Sequence, residues 1–558
     1  MEGKIHLIDH VIYGLLGLVL VSILVIMVTA VSAGKPPESA CPPPTVSKGG
    51  VCTLAKDTVL TSTIELPSNT ILDCKGKKLT PSVAGITDNP LTAENEFQPS
   101  QPELAVFLNQ AHGAKVQNCN IKGFDFGIYL FNSTAVNEIS NNQLNVRTNG
   151  VMIVQSDNQL VRNNVVRYAS ERGHGIMTDF DNDANRIIGN NVTGSGTGGF
   201  GFVNQHPGGV SGYTFGGQDF PHYNIGIFTN GGTLDLLNLV VNGKLYQLPF
   251  EGNEHFSTNT EIRGNKISIL TVSPGTCTLD PATACTAHSQ CAGKGACYFT
   301  NEYMGIGLFF GSRDTQVIGN AVTGGSNGLR TGGHTNLVVV PPGTCSLDST
   351  RLCVNDDNCF IPAVDEVSKG DCKGVSGGVA RDYEIHNTMY ENNTVSGFAD
   401  VGLRLQGPDE TAKGNAINCG GISGTVGVSL FTEAIESGAI ERNSVTGCEA
   451  GLDIDLAGSR AYPVQPKRFA AEISLNNFYN NTENIRASSN YPWKSELSVN
   501  GRGNYWGHTC ENDSANDLGF IEAGKPDADS NDADVIDSHP YGEPVAGTPD
   551  GSLPPTCQ

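Results

Sequence analysis

Positive charge is scarce in this sequence: 34 Lys and Arg stand against 57 Asp and Glu, a formal net charge of -23. A surface of that sign repels phosphate backbones, which excludes nucleic acid as a partner and leaves cationic groups and divalent ions. Aromatic residues are few, 7% with only two tryptophans, so the interior has to rest on Val, Ile and Leu. Tight Cys-x-x-Cys pairs are missing among the 16 cysteines, which excludes zinc knuckles. Apolar spacings of three and four, the mark of an amphipathic helix, are missing from the repetitive middle of the chain. Beyond Ala33 no second apolar run is long enough to span a bilayer, so contact with a membrane is expected only through the N-terminal segment.

What is present is repetition. GIYLFNSTAVNEISNNQL from Gly127, GVMIVQSDNQLVRNNVV from Gly150 and GIMTDFDNDANRIIGNNV from Gly175 each run from a glycine through alternating apolar residues to an Asn-Asn pair and a further apolar residue. Self-similarity at a period in the twenties marks a solenoid. Alternation places Ile128 and Leu130, Val151 and Ile153, Ile176 and Thr178 on one face, so each unit is a coil of short strands. Coils stacked at about 4.8 Å bury that inward column. The 68 glycines and 28 prolines of the 558 residues suit a fold dense in turns.

The segment Val11 to Ala33 carries no charge and ends in Val31-Ser32-Ala33, which fits a cleaved secretion signal. The same run is long enough to remain as a membrane anchor. Either way the remainder is expected outside the cytoplasmic membrane, extracellular or on the cell surface, and an even number of cysteines agrees with an oxidising compartment. Cys277, Cys285 and Cys291 recur as Cys345, Cys353 and Cys359 at identical spacing after PGTCTLD and PGTCSLD, and Cys297 and Cys372 close the two groups. They predict two small loops, each stapled by two disulfides, whose bases lie side by side about 10 Å apart. Cys41 with Cys52 and Cys74 with Cys119 are expected to pair near the entry, and Cys510 is a partner for Cys557 in the tail.

In order, 1–34 is the signal or anchor, 35–62 a Pro-rich linker and the start of an N-terminal cap, 63–503 the solenoid, and 504–558 a C-terminal cap and tail. Insertions are expected at about 205–256, 274–300 and 342–374. In the first, Asn242-Gly243 lies between apolar runs, the strongest short-range hairpin signal. This hairpin is expected on the flank of the solenoid.

The Gly-Ile-x-Leu and Asn-x-Val-x-Gly phrases, the LDCKGKKL entry and the GNYWG and DVIDSHPYG ending resemble the right-handed parallel β-helix proteins of the pectate-lyase-like superfamily, most closely secreted bacterial and archaeal members built from generic β-helix repeats. The resemblance covers roughly Asn69 to Tyr541 and implies an all-β fold: a single-stranded right-handed parallel β-helix with a hairpin insertion and two disulfide-stapled loops. It implies no single chemistry, because the superfamily includes polysaccharide lyases, glycosidases, epimerases, tailspikes and adhesins. Gly173-His174-Gly175 is similar to a polygalacturonase fragment, but that family's other motifs are missing and His174 is expected in a turn between coils.

The asparagine column Asn190, Asn320, Asn393, Asn415 and Asn443 is expected to be structural. Outward positions carry more chemistry. Early coils present Tyr129, Met152 and Met177, and beside them Phe131, Val154 and Asp179. Late coils present Gly307, Arg330, Arg404, Ser429 and Asp453, and beside them Phe309, Gly332, Gln406, Phe431 and Asp455. Arg330 and Arg404 are expected on adjacent coils, with Asp453 and Asp455 two coils further on.

A polysaccharide-recognising protein would use Arg330, Gln406 and the insertion aromatics Tyr213 and Tyr223 as its binding surface. A lyase or glycosidase acting on an anionic glycan would use Arg404, Asp453 and Asp455, the substrate carboxylate being neutralised either by arginine or by a calcium ion held on the acids. In a merely structural or adhesive surface protein the same charges form a solvated ladder of little energetic weight. The tail acids Asp527, Asp529, Asp532, Asp534 and Asp537 invite calcium, but Asp532 stands where an EF-hand needs glycine.

Overall fold

The computed structural model describes most of residues 41–502 together with 534–537; the stretches 1–40, 84–99, 196–221, 456–470, 488–497, 503–533 and 538–558, and short segments within loops, lie outside the described residues. The signal or anchor, Tyr213, the Cys510 to Cys557 pairing and Asp527, Asp529 and Asp532 therefore lie outside them too. Among the described residues no helix is long and apolar enough to cross a membrane.

Each coil contributes three strands, as in Glu138–Ser140, Gln143–Val146 and Asn149–Val154. Stacking them in parallel makes three sheets of 15, 12 and 12 strands, here called first, second and third in their order within a coil, and the result is a right-handed parallel β-helix. Alternation fixes the register. In the third sheet Ile128 lies beside Val151 and Leu130 beside Ile153, and all four are buried in a core that runs unbroken from Cys52 to Ile485.

Two devices keep every coil in phase. At the corner between the first and second sheets, Asn142, Asn164, Asn190, Asn265, Asn320, Asn393, Asn415, Asn443 and Asn476 form a ladder. Asn320 is typical: its Nδ2 donates to Asn393 Oδ1 at 3.0 Å and to the Ile262 carbonyl at 2.9 Å, while its own Oδ1 accepts from the backbone and side-chain N–H of Asn265 at 2.9 and 3.0 Å. The amide is the side chain that satisfies the turning backbone on both sides at once. At the entry, Cys119 stands at the rung before Asn142, whose Oδ1 accepts the Cys119 N–H, and is bridged to Cys74 one coil earlier.

The second device is a glycine column, Gly127, Gly150, Gly175, Gly226, Gly305, Gly328, Gly402, Gly427 and Gly451. At each of the first eight an added Cβ would stand 2.4–2.7 Å from the carbonyl oxygen of the next glycine, so only glycine permits the coils to close.

The insertions depart from expectation in three ways. His222–Asn230 is an ordinary third-sheet strand pairing with His174–Asp179 and Asn301–Phe309, so the register resumes inside the expected 205–256 insertion. Its Gly226 repeats the coil phrase, and Tyr223 sits on this coil strand, opposite Glu302. The hairpin Leu236–Val241 with Lys244–Pro249 forms as the sequence predicts, with Asn242 at φ 49° and Gly243 at φ 76°. It lies across the outward face of the third sheet instead of on the flank.

Thirdly, the two cysteine loops leave opposite edges of the third sheet. The first follows the second-sheet strand Lys266–Ile269 and returns at Asn301–Phe309, whereas the second follows the third-sheet strand Asn327–Gly332 and returns at the first-sheet strand Met389–Glu391. Their bases are separated by the width of that sheet, about 20 Å for six residues, because the repeat offers three corners and the loops use different ones.

Each loop is a three-stranded antiparallel module. The bridges Cys277 to Cys291, Cys345 to Cys359 and Cys353 to Cys372 stay within their modules as expected, and Cys285 is also disulfide-bonded. Cys41 pairs with Cys52, where Val46–Lys48 and Val51–Thr53 cap the open end. A further bridge, Cys419 to Cys448, joins adjacent coils. At the far end the first sheet continues past 503, since Ser498–Arg502 pairs with Asp534–Asp537.

Candidate functional site

The outward face of the third sheet divides along the axis. Its early half is covered: Phe107, Tyr129, Phe131, Met152, Val154, Met177, Met304 and Phe309 join Leu239, Val241 and Tyr246 of the hairpin in a second apolar core. Tyr246 meets Phe107 edge-on at 5.1 Å. Tyr129, Met152 and Met177, expected to face solvent, are at most 1% exposed. Leaving such a run of large apolar side chains in water would forfeit about 2 kcal/mol for each, and the hairpin removes that cost.

Polar bonds pin the hairpin at both ends. At the tip, the Asn242 side chain accepts from the Thr63 N–H at 2.8 Å and donates to the Thr63 carbonyl at 3.1 Å and to Glu65 at 2.8 Å. Near the base, the Gln247 side chain exchanges bonds of 3.1 and 3.2 Å with the backbone of Leu352 in the second cysteine module.

Beneath this cover lie groups that an apolar core does not require. His174 opens the strand His174–Asp179, not a turn, and is in register with Asn149; Met177 is in register with Met152. Asn149 Oδ1 accepts the backbone N–H of His174 at 2.9 Å and lies 3.3 Å from His174 Nδ1, while its Nδ2 lies 2.9 Å from Met152 Sδ. Burial holds the imidazole neutral, with its pKa pushed down to about 3.

The late half of the face is ionic. Arg330 is directly in register with Arg404, Arg404 with Ser429, Ser429 with Asp453, and Asp453 with Arg486. The two arginines therefore occupy adjacent coils and Asp453 lies two coils beyond Arg404, as expected. Asp455 ends the same strand opposite Phe431.

Each guanidinium leans over a ring, Arg330 over Phe309 and Arg404 over Phe431, both at 5.7 Å. Gly307 and Gly332 make room for the Phe309 platform, since a Cβ on either would come within 2.8 Å of that ring. Both arginines are half-buried, and the Arg404 Nε makes no hydrogen bond within the protein, nor does the buried hydroxyl of Ser429. Gln406 is buried as well, its backbone N–H donating to Glu410 Oε2 and to the Thr331 hydroxyl.

Glu410 went unnoticed in the sequence. Fully buried, it also accepts the Gly407 N–H at 3.0 Å and the Thr331 hydroxyl at 3.1 Å, fixing the turn that follows Arg404. A lone acid four residues after Gln406 carries no pattern that would have revealed it. The Cys419 to Cys448 bridge also went unnoticed, although Asn418-Cys419 and Gly447-Cys448 stand at the same point of successive coils, as Asp73-Cys74 and Asn118-Cys119 do.

The family model described as "NosD: Periplasmic copper-binding protein (NosD)" matches residues 69–245 and 296–510. No curated protein matches. Among solved structures, the chain is similar to the Dettilon tailspike protein (11% identity, 77% of this chain and 61% of that one, TM-score 0.40). It is also similar to PfbA, a surface adhesin of Streptococcus pneumoniae (11%, 78% and 84%, 0.39), and to the periplasmic alginate epimerase AlgG (9%, 89% and 79%, 0.32).

Proposed function

The chain belongs to the NosD family, described as periplasmic and copper-binding, and from that membership together with the outward face of the third sheet we propose that it is an exported β-helix protein that binds an anionic, carboxylate-bearing polysaccharide. One observation carries the reading: Arg330 and Arg404 stand in register on neighbouring strands. Like charges placed directly opposite destabilise a sheet. A ligand carboxylate between them offsets that repulsion, and the planar fork of arginine suits it. The Phe309 and Phe431 rings hold both guanidinium groups in place, and Gln406 and Ser429 border them with amide and hydroxyl groups fit for sugar hydroxyls.

Alginate, pectate and a glycosaminoglycan should bind in calorimetry, a neutral glucan should not, and Arg330→Ala or Arg404→Ala should each weaken binding about tenfold or more, the loss of one charge-assisted bidentate contact. Unchanged affinity in both variants, or equal binding of the neutral glucan, overturns the reading. A second reading is cleavage of the same polymer, favoured by Asp453, almost wholly buried in the arginine column. A lyase would raise absorbance near about 235 nm as an unsaturated uronate forms, and a hydrolase would release reducing ends without it.

Copper is the other half of the family description, and among the described residues no cysteine is free to offer it a thiolate.

A further inference from the structure

We infer that the arginine site takes the end of an acidic glycan chain, its last one or two sugar units, and does not ride on the middle of a polymer. This deepens the reading above and rests on it. The ground is how little of the late face is open. Arg330 and Arg404 are half-buried, as is the Phe431 ring over which Arg404 leans, whereas the residues before and after them in the same outward column are closed. On the entry side Gly307 is buried and Phe309 is 2% exposed; on the far side Ser429 is 1% and Asp453 7% exposed.

The strands give this opening a size. Gly307, Arg330, Arg404 and Ser429 stand in register on four neighbouring strands, so the open part of the column is two strands wide, about 10 Å at normal spacing. It is no longer in the other direction, since Gly332 beyond Arg330, and Gly402 and Gln406 on either side of Arg404, are buried. A polymer bound by its middle would have to leave the surface at both edges of so small an opening.

Each edge along the axis has a physical cause. Toward the entry, the hairpin fills the layer above the sheet. Phe309, the platform of Arg330, belongs to the same apolar cluster as Leu239, Val241 and Tyr246, and packed layers lie about 10 Å apart. A glycan lying on Arg330 therefore occupies the hairpin's own layer and stops against it, and the bonds between Gln247 and Leu352 hold that wall in place. At the far edge, charge adds to burial. A polymer with an acid on every unit would bring a carboxylate over Asp453, two strands beyond Arg404, where like charges repel. A chain end has nothing to place there.

The test uses the full chain and size-defined oligomers of galacturonate and of guluronate, two to eight units long, in calorimetry. An internal binder gains registers as the ligand lengthens, so its apparent affinity and the number of proteins per chain both grow; an end binder gains neither. The dimer should bind within about threefold of the octamer, at one protein per chain at every length. Arg330→Ala and Arg404→Ala should each weaken dimer binding about tenfold or more. Of two modified octamers, one with its reducing end converted to the alditol and one with an unsaturated unit at the other end, one should bind about tenfold more weakly and the other as before. Loading of a long pectate chain with proteins in proportion to its length, affinity that climbs about tenfold from dimer to octamer, or indifference to both end modifications would each overturn the inference and leave the acidic-glycan reading standing. Failure of every acidic oligomer and polymer to bind would overturn that reading, and the inference with it.

Discussion

Each asparagine of the corner ladder serves two coils, so its loss is felt in both. Asn320→Ala would strand the backbone N–H of Asn265 and the Ile262 carbonyl and leave Asn393 Oδ1 with only the backbone N–H of residue 320 as donor. It should cost roughly 2–4 kcal/mol, the scale of several buried groups left unsatisfied, and chemical denaturation should show it. A loss under about 0.5 kcal/mol, ordinary for an exposed site, would mean that water replaces the amide.

Asp125 gives a second residue-scale expectation. Its carboxylate pairs with Arg147 at 2.9 Å, and Ser100 donates its backbone N–H to the same carboxylate at 3.2 Å, all within the protein. Burial pushes the Asp125 carboxyl up to about 7, against the pull of Arg147. A raised carboxyl means that the folded state binds the proton more tightly than the unfolded chain. The associated stability is present below the unfolded value of about 4 and is lost as pH rises toward 7. Asp125→Asn should flatten the decline in melting temperature across that window, and an unchanged slope would place the titration elsewhere.

The asparagines were legible in the sequence because they recur. Asp125, Arg147 and Glu410 were not, because a buried ion pair or a turn-fixing acid occurs once and follows no period.

At the scale of elements, the hairpin is the feature with most to lose. Leu239→Ala with Tyr246→Ala removes its contacts with Phe107 and Phe131, at a cost of roughly 4–8 kcal/mol by analogy with core truncations. Because the coil stack has its own core, the variant should keep its β-sheet circular dichroism while binding an apolar dye strongly. A variant that melts as wild type with no dye binding would mean that the cover contributes nothing.

The Asn242-Gly243 turn announced the hairpin, but its destination was not readable. Local chemistry fixes a turn, and only the Tyr129, Met152 and Met177 column, which the coils alone leave uncovered, says where the turn must lie. The two cysteine modules teach the same point. Their self-containment follows from their own cysteine spacing, while the corner each occupies depends on which strand of the coil precedes it, and nearly the same phrase, PGTCTLD or PGTCSLD, opens both.

Over the whole molecule, one face serves two ends. Its early half is closed by a hairpin that reaches from Thr63 to Leu352, and its late half presents stacked arginines on a chain of net charge -23. Two arginines on neighbouring strands of so acidic a body should bind a carboxylate polymer with strong dependence on salt. The parallel coils and the alternation behind them were plain from sequence, and so was the neighbouring of Arg330 and Arg404. The covering of the early half was hidden, since it depends on residues that meet only after the coils are stacked.

The glycine column has a consequence for how such a molecule can change. With every coil held in the same phase, an added or removed repeat slides everything beyond it along the axis and turns it hardly at all. A single unit inserted between Arg404 and Ser429 would carry Asp453 away by one strand spacing, about 4.8 Å, with its bearing preserved. The protein is in this sense a ruler graduated in whole coils, on which the distance between two side chains is a count and can be reset one notch at a time.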